Sequence, residues 1–176
     1  MKKTFWISLS VLIALFITTT SVKAVSAEDS HKELVTVVTT PMGMENYQNI
    51  EDNLLDAAKY NDIENPDQYA AKRFDSRLKN IMSLRKKAQK EYKSEKKFLN
   101  SQDKAALKDY TKKLRAYLSA LHDYAVIYQN DNPVITNPDT SQEVVSETQN
   151  ELNESKSEFD KAKNDWVNSY NSIANQ

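Results

Sequence analysis

The chain has 176 residues, with 24 Lys and Arg against 25 Asp and Glu, for a formal net charge of −1. It holds no Cys, one Gly and four Pro. That composition excludes a disulfide framework, a cysteine-anchored lipoprotein, a thiolate metal cluster and a glycine-rich phosphate loop, and it leaves too few turn residues for a β-rich fold.

Met1-Lys2-Lys3 is a short basic start, and the uncharged run Phe5 to Ile17 follows it. A polar stretch then ends in Val25-Ser26-Ala27, whose small residues suit the narrow cleft of a signal peptidase. Residues 1–27 are therefore expected to be a signal peptide cut after Ala27, with Val22-Lys23-Ala24 as a second possible cut. The apolar core is shorter than the ~20 residues of a membrane span, so a soluble secreted or cell-surface product is expected. Such a chain, exported without disulfides, fits a bacterial envelope.

Residues 28–43 are the exception in a helical pattern. HKELVTVVTTP is rich in β-branched residues and has no obvious partner strand. It reads as a flexible or extended N-terminal arm. Residues 44–176 read as one helical-bundle domain. Met44, Tyr47, Ile50, Leu54 and Ala58 recur at steps of three and four, which marks a short amphipathic helix.

Asn65-Pro66-Asp67-Gln68 combines a capping Asn, Pro at a first helical position and Gln in the capping-box place. It predicts a long second helix of roughly 34 residues, ~50 Å by the helical rise. The apolar stripe of that helix runs from Ala70 through Phe74, Leu78, Ile81, Ala88 and Tyr92 to Leu99. Asn100 to Asp103 predicts a break and a new cap. A third helix carries Leu107, Leu114, Leu118 and Leu121, with Tyr110, Tyr117, Tyr124 and Tyr128 along one edge. The stretch QNDNPVITNPDT, with two prolines, reads as a loop. Thr140 or Ser141 then caps a last helix whose seam alternates three and four from Val145 to Ile173. The expected fold is all-α: an elongated antiparallel bundle of three long helices and one short N-terminal helix.

Catalytic patterns do not emerge. Outside the leader the only histidines are His31 and His122, and no HExxH, EF-hand or nucleophile-elbow pattern exists. Carboxylates are abundant, but nothing singles out a pair across a cleft. A non-enzymatic protein is expected, with no cofactor, no metal and no small-molecule substrate. The tyrosine ladder reads as edge packing, each ring buried and its hydroxyl reaching water, and not as a sugar-stacking surface.

Charge gives the sharpest signal. Residues 28–67 carry ten Asp and Glu and two Lys. Residues 68–115 carry sixteen Lys and Arg and five Asp and Glu. Residues 116–176 carry ten Asp and Glu and three Lys. On a helical projection Lys72, Lys79, Lys86, Lys90, Lys93 and Lys97 fall together, roughly 120° to 180° from the apolar stripe. Glu143, Glu147, Glu154 and Asp165 fall on the outer face of the last helix by the same projection.

The six lysines are the candidate partner-binding residues. They suit an anionic cell-wall polymer or a surface protein, whereas nucleic acid is a less fitting partner. A charged helix face can also do no more than keep a protein in solution. Two other classes stay open. One is a membrane-active, toxin-like protein that inserts its apolar faces. The other is a structural or adhesion subunit that forms homo-oligomers by pairing its basic and acidic faces.

Overall fold

The structure, a computed structural model, describes residues 25–59 and 68–175. The predicted leader run Phe5 to Ile17 and the predicted cap Asn65-Pro66 lie outside the described residues. Five α-helices occur among those described: α1 (Ala27–Thr39), α2 (Glu45–Lys59), α3 (Gln68–Glu95), α4 (Ser101–Thr136) and α5 (Gln142–Ala174). No strand occurs among them, and the described part of the protein is all-helical. No described helix is long and apolar enough to cross a membrane.

The first correction concerns residues 28–43. They are not an extended arm, because Ala27–Thr39 is helical. There are consequently two shorter helices ahead of the long ones, and not one. Ser26 caps α1 by accepting the Asp29 N–H at 3.0 Å. Leu34, Val37 and Val38 are buried on one face. That burial outweighs the modest helix-propensity cost of the β-branched residues. Ser30, also buried, is tied to the start of α4. Its hydroxyl donates to Asp103 and accepts the Asn100 N–H at 2.9 Å.

A tight corner joins α1 to α2. The chain's one glycine sits there for reasons of space: a Cβ on Gly43 would lie 2.4 Å from the Thr39 carbonyl oxygen. In α2, Tyr47, Leu54 and Ala58 are buried, as the predicted stripe requires, and Ala57 is buried beside them. In α3 the buried residues are Phe74, Ile81 and Ala88, one every second turn. At its C-terminal end this helix stops earlier than predicted. It ends at Glu95 and tightens into a single 3-10 turn, Lys96–Phe98. Leu99 is extended, and Asn100 caps α4 by accepting the Asp103 N–H at 2.9 Å.

The second correction concerns QNDNPVITNPDT. Helix α4 continues through Pro133 to Thr136. The proline sits in the last turn, where its missing N–H interrupts one backbone bond only. Ile135 packs against the core and repays the continuation. The remaining link is short. Asn137 Oδ1 accepts the Asp139 N–H at 2.9 Å, and Ser141 caps α5.

The order of contacts gives the helix directions. Met42, just ahead of α2, meets Tyr110 and Glu51 meets Tyr117, so α2 runs in the same direction as α4, while Ser30 ties α1 to the start of α4 through Asp103. Tyr110 meets Tyr170 while Tyr124 meets Phe159, so α5 runs opposite to α4. Leu152, Phe159, Trp166 and Ile173 are the buried seam of α5. Trp166 stacks on Tyr117 with centroids 4.6 Å apart, and Tyr47 meets its edge at 5.9 Å. Tyr110, Tyr117 and Tyr124 are core, as expected, and Tyr128 packs half-buried against it. Two of their hydroxyls, however, find protein partners and not water: Tyr110 donates to the Met42 carbonyl and Tyr117 to Glu51 at 3.0 Å.

Candidate functional site

Lys72, Lys79, Lys86, Lys90 and Lys93 are exposed on α3. They lie opposite its buried stripe because spacings of three, four and seven return to one face of a helix. Lys97 is exposed too, but it stands in the 3-10 turn. Its ammonium lies 4.7 Å from the centroid of the Phe98 ring. The projection assumed a regular helix to Leu99, and the tighter turn breaks that assumption. Among the described residues none of these six lysines has a carboxylate partner within ion-pair distance. The ion pairs fall elsewhere, as in Lys113 with Asp109 at 2.7 Å and Lys163 with Glu51 at 2.8 Å.

Beside the lysine face, α3 and α4 part to leave a groove of about 600 Å³. It continues into a second hollow of about 310 Å³, and Arg85, Gln89 and Arg115 line both. Lys86 lines the second hollow, so the exposed lysine face runs into the groove without a break. Lys108 and Lys112 stand on the α4 wall. Tyr92, Ala105 and Ala116 give the same groove a carbon lining. Its one carboxylate, Asp109, is held by Lys113 at 2.7 Å.

The two arginines are half-buried. Arg115 Nη1 donates to Gln89 Oε1 at 2.7 Å, which fixes the guanidinium across the groove. Among the described residues Arg85 Nη1 reaches only the Met82 sulfur, a weak acceptor, at 3.5 Å. The Nε of each is shielded from solvent without an acceptor among the described residues. Such a groove can hold an anion and can steer a polyanion toward it.

Sequence reasoning singled out the lysines and did not anticipate the groove. The signal was present. Lys104, Lys108, Lys112 and Arg115 recur at steps of four, four and three, which places them on one face of α4. What the spacing could not reveal is which face of α4 turns toward α3. The predicted acidic face of α5 is also where the projection put it, since Glu143, Glu147, Glu154 and Asp165 are all exposed. Comparison with known protein families, with curated proteins and with solved structures gives no match for this chain.

Proposed function

We propose that this is an exported, non-enzymatic helical-bundle protein of the bacterial envelope that binds an anionic polymer through the basic face of α3. The observation that carries the proposal is the exposure of all six lysines with no carboxylate partner among the described residues, in a chain whose total charge is close to zero. Acidic residues sufficient to neutralise them exist, but they stand on other helices. Segregated charge of this kind makes a strong local field, and long-range attraction to an anionic chain follows. An elongated antiparallel bundle would serve as a stiff rod that displays the lysines at fixed spacing.

The test is retention on isolated anionic wall polymer. A variant with Lys72, Lys79, Lys90 and Lys93 changed to Gln should lose retention while keeping the helical circular dichroism of the parent. Undiminished retention of that variant would remove the lysine face from the account. The exposed acidic residues of α5, Glu143, Glu147 and Glu154, favour a second reading in which one molecule's acidic face meets another's basic face. Light scattering separates the two: a monomer at low and high salt excludes the pairing, and a salt-sensitive oligomer supports it.

A further inference from the structure

We infer that the groove between α3 and α4 is a seat for a single phosphate ester, with Arg85 and Arg115 as its specificity-determining residues and a polyol-phosphate or sugar-phosphate chain as the source of the ester. The inference rests on the polymer-binding reading above and adds to it the chemical class of the repeat unit.

Charge comes first. Arg85, Lys86, Lys108, Lys112 and Arg115 line the two joined hollows, against one carboxylate that Lys113 already holds. The neighbouring groove between α4 and α5 is a useful contrast. There Lys112, Lys113 and Lys161 face Asp109, Glu158 and Asp165, and two ion pairs, Lys113 with Asp109 and Lys161 with Asp165, already use up part of the charge. Of the two grooves, the α3–α4 one carries the surplus of cations over carboxylates.

Geometry comes second. A guanidinium presents five N–H donors in a planar fork, and phosphate oxygens match that fork. The Gln89 carbonyl holds Arg115 in place and leaves most of its donors uncommitted. Arg85 spends one donor on a thioether. The Nη donors that these two bonds leave over are the ones an anion's oxygens between the two arginines would accept from. A phosphate diester carries one charge, as a carboxylate does, but it sets two non-bridging oxygens and two ester oxygens tetrahedrally about one centre and continues the chain on both sides, so successive diesters can meet the five cations.

Size comes third. A volume of about 600 Å³ with a further 310 Å³ beyond it exceeds the need of a bare ion. Tyr92, Ala105 and Ala116 supply carbon surface for the body of the unit, a polyol or a sugar ring. Lys86 joins the seat to the lysine face, so the same polymer strand can run from the seat along α3.

Calorimetric titration of the full chain with a short glycerol-phosphate oligomer tests the seat. Arg85→Gln with Arg115→Gln should weaken binding at least tenfold at fixed salt, with an unchanged thermal melt. Arg85→Lys with Arg115→Lys keeps the charge and loses the fork, and should recover little of the affinity. Full recovery by the lysine pair, or undiminished binding by the glutamine pair, would overturn the assignment. Anionic phospholipid vesicles provide the second arm: displacement of the oligomer by vesicles would overturn the polymer as the source. The variant with Lys72, Lys79, Lys90 and Lys93 changed to Gln separates the two proposals, because none of those residues lines the groove. It should lose long polymer while still binding the short oligomer. Retention of long polymer by that variant, together with loss of oligomer in the glutamine pair, would sink the lysine face and leave the seat standing.

Discussion

Tyr47, Tyr110 and Tyr117 are almost wholly hidden from solvent, and the environment of each has a chemical consequence. Burial pushes the Tyr47 phenol up to about 12, with the Glu91 carboxylate adding to the effect. Burial raises Tyr110 and Tyr117 further, and Glu51 adds to the rise at Tyr117. A group whose folded pKa is raised stabilises the fold fully below its unfolded value. For tyrosine that value is about 10, and the contribution falls as pH climbs from there through the folded pKa. Each such ring then removes up to about 1.4 kcal/mol of stability per pH unit. The protein is therefore predicted to unfold cooperatively between pH 10 and 12. Tyrosinate absorbance and far-ultraviolet dichroism should change together in that window. Smooth ionisation of all tyrosines near pH 10 with helicity intact would contradict the burial. The ladder was legible as core from its seven-residue spacing. The partners Met42 and Glu51 were not, because they lie 68 and 66 residues away in the chain and no local pattern encodes such pairs.

At the scale of elements, α2, α4 and α5 were legible because their stripes hold period over several turns and their caps are ordinary ones, with Asn100 and Ser141 accepting N–H groups of the first turn. α1 was not. Its β-branched composition suggested an extended segment, although Ser30, Leu34, Val37 and Val38 already carried helical spacing. Its folding depends on the start of α4, through Ser30, Asn100 and Asp103. Pro133 misled in the same way: a proline marks the end of a helix only when nothing downstream has a core to join.

The start of α1 also bears on processing. Ser26 accepts the Asp29 N–H at 3.0 Å, and its carbonyl accepts the Ser30 N–H at 3.0 Å. A cut after Ala27 would remove this cap at a cost of about 1 kcal/mol and place a cationic terminus at the positive end of the helix dipole. A cut after Ala24 keeps the cap. A chain beginning at Val25 is predicted to be more stable than one beginning at Glu28 by about 1 kcal/mol, and thermal melts of the two chains decide it. Equal melts would show that the Ser26 cap is dispensable.

For the whole molecule the governing feature is the separation of charge along the chain and its conversion into separate faces. The near-zero total conceals a basic block over residues 68–115 between two acidic ones. The lysine half of the candidate site was legible because α3 carries five of its six residues. The groove was not, because it exists only where two helices meet, with Arg85 and Arg115 brought together from different elements. Exposed cations act through a field that salt screens, so binding should follow ionic strength in a calculable way.

The most direct measurement is titration of the purified chain with inorganic polyphosphate at about 0.1 M and about 1 M salt, where the Debye length is ~10 Å and ~3 Å. The parent protein should bind at the lower salt and release at the higher. The variant with Lys72, Lys79, Lys90 and Lys93 changed to Gln should bind at least tenfold more weakly at the lower salt with its helicity unchanged. Equal binding by parent and variant, or no binding by the parent at about 0.1 M, would contradict a lysine face built to hold an anionic polymer.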